Sequence, residues 1–385
     1  MTALAGIRIL DLSRLLPGPL ATLVLADLGA QVDKIEDPQL GDYARGMPPL
    51  VAGQGAAFHA LNRGKRSATL DLKRPEGVRV FERLVLHYDV VFEQFRPGVL
   101  DRLGIGHARM LELNPKVIVA ALTGYGQSGP LRDRAGHDLD YLARAGLLGL
   151  QGPAGDKPQI PAFQLADVSG ALFSVIAILG ALLERAQTEK GKILDVAMLD
   201  SVVPFATITL SKLFGGELPS RGAELLTGGV AAYDTYLTSD GQAMALGALE
   251  PKFLMRFCAA AGVEGGETAL IPGSHQDRLK RTFAEVFASK TRAEWEAFGS
   301  EHDCCLEPVL HPGELLADPQ VRARGLFFTG DVKGTAVSYY RTPVTPRDRC
   351  PVPAPTHGQH TDQILREAKF DETEILQLRK NGVIE

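Results

Sequence analysis

The feature that most constrains the fold is the alternation of strand-like and helix-like segments in the first third of the chain. Residues 7–12 (IRILDL) form a short aliphatic run, the turn LLPGP follows, and an apolar helical segment at 20–28 leads into a second strand-like run at 31–36. This order is typical of a βαβ unit, which normally builds a parallel sheet. Further strand-like runs lie at 67–72, 89–94 and 116–123, separated by helical segments at 76–87 and 108–113. We therefore predict an α/β fold with a large, doubly wound, Rossmann-like domain.

The rest of the chain has a different pattern, which indicates a second, smaller domain. Helical segments are predicted at 136–149, 168–186, 196–214, 251–261, 276–288 and 292–299, with a short strand at 242–246. A Pro-rich link (PVPAPTHGQHT) precedes two final amphipathic helices at 362–368 and 372–380. A chain of 385 residues exceeds what one core usually holds. We assign residues 1–200 to the first part of the large domain, 201–225 to a linker helix region, 226–310 to a small α+β domain and 311–385 to a return segment that completes the large domain.

Composition and missing motifs exclude several classes of protein. A formal net charge of −5 argues against nucleic-acid binding. The apolar stretch 168–183 is too short to span a bilayer, so a buried core helix is expected and no membrane contact. No secretory or peroxisomal address is visible, and the cysteines form no CxxC pair, which favours a cytoplasmic protein without a metal site. These cysteines are Cys258, Cys304, Cys305 and Cys350. The first turn lacks the GxGxxG spacing of nicotinamide-binding proteins, and GYGQSG is not a GxSxG nucleophile elbow.

Several charged residues are candidates for chemistry, and each also has a structural interpretation. The basic run RGKRSATLDLKR (63–74), with Arg96 and Arg102 after the next strand, suits a phosphate-bearing ligand or a solvated charged face. His137 is placed to act as a general base or to cap a helix. Asp167 precedes the most apolar helix and could be its N-cap or an ionised carboxylate at the helix dipole. Glu250, before Pro251, could cap a helix or orient a histidine.

Taken together, these segments resemble the superfamily of family III CoA-transferases (CaiB/BaiF) and α-methylacyl-CoA racemases. The resemblance runs along almost the whole chain, in GIRILDLSRLLPGPLATLVLADLGAQVDKIEDP, NRGKRSATLDLK, FRPGVLDRLG, ALTGYGQSGP, the Asp167 helix with GKILDVAMLDSV, and the closing HTDQILRE and LRKNGVIE. In the transferase branch the resemblance implies that the aspartate, here Asp167, forms a covalent aspartyl-CoA intermediate. In the racemase branch it implies that the same aspartate works opposite a histidine paired with a glutamate.

The racemase branch is favoured, with CoA transfer between carboxylic acids as the alternative. GHDLDY supplies His137, GALEPKF supplies Glu250, and GGVAAYDTY supplies Tyr233, which resembles a racemase substrate-pocket tyrosine. The glycine-rich loop of the transferases is missing near Glu250. The sequence departs from the racemase pattern at Phe163 and Asp140, where asparagine is usual.

The resemblance also implies a binding mode and a mechanism for a 2-methylacyl-CoA substrate. CoA would lie across the carboxyl ends of the large-domain strands. His137, oriented by Glu250, would take the α-proton while Asp167 returns one on the other face, and backbone N–H groups at the start of the Asp167 helix would stabilise the enolate. Asp37 stands where the family often has an arginine, and Lys34 is expected to supply that charge. The positions expected to contact CoA are Leu15, Leu16, Pro17, Lys34, Leu70, Lys73, Gln94, Phe95, Arg96, Arg102, Gly136, Asp138 and Tyr141.

The expected partners follow from the same resemblance. The acyl-CoA substrate is expected to be the only small-molecule partner, with no metal and no nicotinamide, in acyl-CoA and fatty acid metabolism. Relatives resemble one another in forming interlocked homodimers, so a homodimer is expected here. The acyl group itself is not specified by any motif.

Overall fold

The computed structural model describes residues 2–348 and 352–385 and divides into two compact units. The first unit contains Met1–Ala145, Phe163–Pro204 and Pro319–Glu385, and the second contains Gly146–Ala162 and Phe205–Asp318. The second unit therefore includes residues 146–162, which the sequence analysis placed in the large domain, and most of the predicted linker region. Cys350 and Pro351, the first residue of the Pro-rich link, lie outside the described residues.

A six-stranded parallel sheet forms the centre of the first unit, so the predicted α/β fold is confirmed. Its strands, in spatial order, are Arg66–Thr69, Gln31–Glu36, Arg8–Asp11, Val90–Glu93, Ile118–Thr123 and Lys192–Ala197. Numbered along the chain this order is 3-2-1-4-5-6, the doubly wound order in which ligands bind at the carboxyl ends of the strands.

The sixth strand was not predicted from the sequence. Residues 196 and 197 were assigned to a helix over 196–214, but they end the strand Lys192–Ala197. The first four residues of this edge strand are partly or fully exposed. The strand therefore needs no continuous apolar run, and the sequence gives only a weak strand signal there. Gly191 before it approaches the backbone of Val117 so closely that a β-carbon would lie 1.9 Å from the Val117 carbonyl oxygen.

Helices cover the sheet and enclose a continuous apolar core. The helices of the first unit are Pro17–Asp27, Ala56–Asn62, Pro75–Val85, Val99–Arg102, His107–Leu113, Asp138–Arg144, Leu165–Thr188, Met198–Val202, Pro319–Ala323, Thr361–Glu367 and Glu372–Lys380. Phe81 of one helix, Val91 of the sheet and Ile364 near the chain end are all fully buried in one cluster. Two antiparallel pairs, Leu50–Val51 with Gln54–Gly55 and Phe327–Val332 with Thr335–Tyr340, complete this unit.

A hydrogen bond to a buried ion pair and a second, partly exposed ion pair attach the last third of the first unit to its beginning. The guanidinium of Arg63 donates to both carboxylate oxygens of Asp27 at 2.6 and 2.9 Å, and Thr345 donates to the same carboxylate at 2.5 Å. Arg66 donates to Glu367 at 2.7 and 2.9 Å. Since a buried charge is tolerated only when it is paired, these contacts fix the return of the chain.

The helix Leu165–Thr188 carries a buried face and an exposed apolar face. Ser169, Ser174 and Ile178 are fully buried, whereas Ile176 and Leu183 are 60% and 72% exposed. By length and composition alone this helix could cross a membrane, but core helices of soluble proteins also pass that test, and 44% of its most apolar window is buried. It is longer than the predicted span 168–186.

The second unit combines a small antiparallel sheet with helices, the α+β arrangement that the sequence indicates. Its strands pair in the order Leu306–Pro308, Ala243–Gly247 and Tyr233–Leu237, and its helices are Leu147–Leu150, Thr207–Phe214, Pro251–Ala261, Gln276–Phe287 and Arg292–His302. Phe257, Phe287 and Trp295 pack together in its core with ring centroids 4.7 to 6.2 Å apart. The helix predicted at 136–149 is interrupted at Gly146, whose φ of +80° ends the segment Asp138–Arg144.

Candidate active site

Asp167 lies in the first turn of the long helix Leu165–Thr188, and another carboxylate caps that turn. Asp138 Oδ1 accepts the backbone N–H of Ala166 at 2.7 Å and of Asp167 at 3.1 Å. Asp138 is thereby the capping residue, although it comes from the helix Asp138–Arg144. This contact changes two expectations. Asp138 has a structural role besides its expected CoA contact, and these two N–H groups are already engaged rather than free to stabilise an enolate.

The environment of Asp167 favours its protonated form. Burial and the nearby Asp138 carboxylate raise the pKa of Asp167 from 3.8 to about 6, while His137 opposes that rise. A carboxyl group with a pKa near neutrality can both give and take a proton at physiological pH, which general acid/base catalysis requires. A strongly perturbed pKa in a polar cluster is also typical of functional sites.

His137 is the N-cap residue of the helix Asp138–Arg144 and is exposed. Its backbone N–H donates to the Asp140 carboxylate at 2.9 Å, so Asp140 stabilises the turn that presents the imidazole. Its neighbour Asp138 accepts the Asp167 N–H at 3.1 Å, so the helix starts that carry the two predicted catalytic groups lie next to each other in the first unit. The helix-capping interpretation and the catalytic interpretation of His137 are therefore compatible.

Tyr141 joins this cluster to a basic side chain. Its hydroxyl donates to the Gly136 carbonyl oxygen at 2.6 Å, and its ring meets Tyr125 edge to face at a centroid distance of 5.1 Å. Burial and the Asp167 carboxylate raise the pKa of Tyr141, while Arg96 lowers it. Hydrogen bonds thus link Gly136 to Tyr141 and Asp138 to Asp167, and Arg96 acts on Tyr141 through its charge.

A cavity of about 380 Å³ lies at the carboxyl ends of the central strands. Its lining includes Leu70, Lys73, Gln94 and Phe95 from the expected CoA positions, together with residues 12–14 and 35–37 after the first two strands. In a doubly wound sheet this is the usual place for a nucleotide.

The turn of Leu15, Leu16 and Pro17 follows the residues 12–14 that line the cavity. Leu15 has a φ of +65° and donates its N–H to Asp42 at 3.1 Å. Gln94 Oε1 accepts the N–H of Gly18 at 3.1 Å. A β-carbon on residue 18 would lie only 2.6 Å from that oxygen. Glycine at position 18 therefore lets the start of the helix Pro17–Asp27 approach Gln94.

The structure does not support the expectation for Lys34. Its ammonium is fully buried, lies 2.9 Å from Asp42 and donates to the Ser13 carbonyl oxygen at 2.6 Å. The carboxylates of Asp11 and Asp42 outweigh the cost of burial and raise the pKa of Lys34. Its charge is neutralised inside the sheet, so it offers no surface to a phosphate group.

Most basic side chains of the run 63–74 are likewise buried and paired with carboxylates. Arg63 and Lys65 are fully buried, Arg66 is largely buried, and Lys73 and Arg74 are exposed. Each has an acidic partner in the same unit: Asp27, Asp11, Asp33 with Glu367, Asp37 and Asp71 respectively. The run is therefore mainly an internal ion-pair network, which neither the phosphate interpretation nor the solvated-face interpretation anticipated.

Arg102 has a companion that sequence reasoning missed. A β-carbon placed on Gly98 would lie 3.4 Å from Arg102 Nη1 and 4.0 Å from Arg132 Nη2, so both guanidinium groups face this glycine. Both arginines are exposed. Two converging cations suit an anionic ligand. The signal available in the sequence was a basic loop, LRDR, just before GHDLDY.

The second unit contains a larger cavity, of about 1010 Å³, which includes Tyr233 in its lining. Asp234, Lys280 and Glu307 supply charged groups, and Lys280 pairs with Asp234 at 2.9 Å. Cys305, which was assigned no function, also lines it, and burial and the nearby Glu250 carboxylate raise its pKa. Glu250 is the N-cap residue of the helix Pro251–Ala261 and accepts the Phe253 and Leu254 N–H groups with its carbonyl oxygen.

The two departures from the racemase pattern occupy exposed positions. Phe163 is 62% exposed, and Asp140 is the exposed capping partner of His137. Across residues 2–348 and 352–385, no group of three or more His, Cys, Asp or Glu side chains is arranged to hold a metal ion.

A doubly wound sheet, a cavity at its carboxyl ends and an acid/base-capable carboxylate at a helix start define an α/β protein with an enzyme-like site. Residues 4–361 match the family described as CoA-transferase family III. The chain is 37% identical to alpha-methylacyl-CoA racemase of Homo sapiens, over 100% of this chain and 98% of that protein. It is 31% identical to Succinyl-CoA:glutarate CoA-transferase of Mus musculus, over 100% and 91%. A crystal structure of a CAIB/BAIF family protein from Brucella suis superposes with a TM-score of 0.82 at 31% identity, covering 95% of this chain and 99% of that one. The chain belongs to CoA-transferase family III and is an α/β enzyme of that family.

Proposed function

We propose that the protein is a racemase or epimerase of 2-methylacyl-CoA thioesters that works by 1,1-proton transfer. The observation that carries the proposal is Asp167, whose pKa is raised to about 6 beside His137. Inversion at an acidic carbon requires two groups that can give and take a proton, one on each face of the carbon. The similarity to alpha-methylacyl-CoA racemase supports the same conclusion.

The mechanism assigns one group to each face of the α-carbon. CoA binds in the cavity at the sheet edge through residues such as Leu70, Lys73 and Phe95, with the thioester at the start of the Asp167 helix. His137 removes the α-proton to give an enolate, and Asp167 delivers a proton to the opposite face; for the other enantiomer the roles are reversed.

A second candidate function is CoA transfer between carboxylic acids, with Asp167 as the nucleophile. The similarity to Succinyl-CoA:glutarate CoA-transferase favours it. With a pKa of about 6, Asp167 is mostly ionised above neutral pH and could attack a thioester carbonyl. The displaced CoA thiolate would then attack the Asp167 carbonyl carbon of the resulting mixed anhydride, giving the aspartyl-CoA thioester and releasing the donor acid as its carboxylate.

One NMR experiment separates the two functions. The protein is incubated in deuterium oxide with a 2-methylacyl-CoA, with and without succinate. Exchange of the α-proton without succinate supports the racemase, and His137→Ala should abolish most of it. Product formation that requires succinate, together with trapping of an Asp167 adduct by hydroxylamine, would establish the transferase instead.

We further propose that the protein works as a homodimer. The exposed apolar face of the helix Leu165–Thr188, formed by Leu172, Ile176 and Leu183, supports this proposal. Contiguous apolar side chains at helical spacing are usually covered by another surface. Sedimentation analysis of the purified protein tests it, and a monomer at micromolar concentration would contradict it.

A further inference from the structure

The cavity at the sheet edge has an unusual charge for a nucleotide site. Six charged residues contribute to its lining: Arg14, Glu36, Asp37, Asp42, Asp71 and Lys73. Glu36 is neutralised by Arg45 at 2.7 Å and Asp42 by Lys34 at 2.9 Å. Arg14 lies over the ring of Tyr43 and donates to its hydroxyl at 2.9 Å.

Asp37 and Lys73 are paired at the rim of this cavity. Lys73 Nζ lies 3.4 Å from Asp37 Oδ2, and the two side chains are 78% and 32% exposed. The lysine charge available to a ligand is therefore offset by the carboxylate. A cation that must bind a phosphate beside a fixed anion gains little from doing so.

Asp37 is held in place and stays ionised. Its Oδ1 accepts the backbone N–H groups of Gln39 at 2.9 Å and Leu40 at 3.1 Å. These bonds and Lys73 outweigh the effect of partial burial and lower the pKa of Asp37. The backbone thus holds Oδ1, and Oδ2 lies at the cavity rim beside Lys73, where the exposed ion pair leaves it room to accept a further hydrogen bond.

The position of Asp37 in the fold indicates which part of a bound nucleotide it would contact. Asp37 directly follows the second strand, Gln31–Glu36, of a sheet with the order 3-2-1-4-5-6. In doubly wound dinucleotide-binding folds, an acidic residue near this strand end accepts a hydrogen bond from the ribose 2′-hydroxyl, whereas a nearby arginine accommodates a 2′-phosphate. Coenzyme A and its dephospho form both have a free 2′-hydroxyl. Coenzyme A carries a phosphate on the 3′ oxygen of its ribose, and dephospho-coenzyme A carries a free hydroxyl there.

We propose that Asp37 binds the ribose through a hydroxyl group, so that the site does not select for the 3′-phosphate of coenzyme A. The protein should then bind acyl thioesters of dephospho-coenzyme A about as tightly as the corresponding acyl-CoA. The proposal rests on the CoA-thioester function above and names a specificity determinant of that site.

Calorimetric titration with coenzyme A and with 3′-dephospho-coenzyme A tests the proposal without depending on turnover. The unmodified protein should bind the two within about threefold of each other, because the Asp37–Lys73 pair presents no net charge. Asp37→Asn should favour coenzyme A by about tenfold, since the lysine is then unopposed. Lys73→Met should shift the preference toward dephospho-coenzyme A. Glu76→Gln makes the same charge change outside the cavity lining and should leave the ratio unchanged.

The titration separates failure of this proposal from failure of the CoA-thioester function. If the unmodified protein binds coenzyme A ten times more tightly than the dephospho form, or if Asp37→Asn leaves the ratio unaltered, the proposal is overturned while the CoA-thioester function stands. If neither compound binds at millimolar concentration, the CoA-thioester function itself fails, and this proposal fails with it. Unchanged melting temperatures of the variants verify that they fold.

Discussion

Asp138→Asn should move the pH dependence of α-proton exchange toward lower pH. The Asp138 carboxylate is, after burial, the main cause of the raised pKa of Asp167. Its Oδ1 also caps the Asp167 helix by accepting the N–H groups of Ala166 and Asp167. An asparagine keeps a carbonyl oxygen for both bonds and removes only the negative charge. The substitution therefore isolates the electrostatic effect from the capping effect.

The size of the shift can be bounded from the structure. Two like charges 4 Å apart repel by about 1 kcal/mol in water and by about 4 kcal/mol near a protein surface, and about 1.4 kcal/mol corresponds to one pH unit. The whole rise of the Asp167 pKa, from 3.8 to about 6, limits the part that Asp138 can supply. Burial of Asp167 is the larger cause of its raised pKa and remains in the variant. We therefore expect the pKa of Asp167 to fall from about 6 by roughly 0.5 to 1 unit.

The assay is the pH profile of kcat/KM for proton exchange, which reports the ionisation of the free enzyme. The His137–Asp167 pair is active when it carries one proton and inactive when it carries two. Activity should therefore fall as the pH drops through about 6 in the unmodified protein and through a lower pH in Asp138→Asn. Both enantiomers must give the same profile, because the two singly protonated forms of the pair interconvert without a net change in protons.

Asp140→Asn is the matched control. It removes one carboxylate from the same helix, yet Asp140 is not among the causes that shift the pKa of Asp167. Asp140 accepts the His137 N–H, a bond that asparagine can also form. An acid limb that stays in place in Asp138→Asn, or that shifts equally in both variants, would refute the electrostatic argument.

Four further substitutions test the proposed catalytic pair, the buried Arg63–Asp27 pair and the exposed helix face. Asp167→Asn should raise the free energy of unfolding at pH 7.5 by about 1–2 kcal/mol, because a carboxyl pKa raised from 3.8 to about 6 opposes folding above pH 6; urea titrations should show this gain shrinking between pH 6 and 4. His137→Gln should slow exchange in deuterium oxide by about 10²–10⁴-fold, and near-normal exchange would exclude this histidine as a base. Asp27→Asn should destabilise the fold by about 3–5 kcal/mol in the same urea assay, because the buried Arg63 loses its counter-charge. Ile176→Glu should shift the sedimentation coefficient to that of a monomer, and a dimer that persists would show that this helix face is not the interface.

The fold could be predicted from the sequence where strands are buried. Five strands of the parallel sheet were found because their apolar runs lie between turns, as at Ile118–Thr123, which is buried at every position. The edge strand Lys192–Ala197 was missed because an exposed strand need not be continuously apolar. The same reasoning explains why the boundary of the second unit was displaced. The segment 146–162 carries no periodic pattern, and its membership depends on contacts distant in the chain.

The candidate site could be predicted only in part from the sequence. The sequence identified His137, Asp167 and Tyr141 as members of one site, and the structure places them together in the first unit. It did not reveal that Asp138 caps the Asp167 helix, because a residue 29 positions away can supply a cap as well as a neighbour can.

The charge of a side chain is visible in the sequence, but its availability is not. Lys65 and Lys73 belong to one basic run, yet Lys65 is buried beside Asp11 whereas Lys73 is exposed at a cavity rim. Lys65 lies just before the buried strand Arg66–Thr69, whereas Lys73 lies in the turn that leads to the next helix, and the acidic partner decides how much charge remains for a ligand. For Lys73 that partner is Asp37. The selectivity of this site toward a ribose phosphate is therefore set by an acid, and a count of basic residues would give the opposite answer.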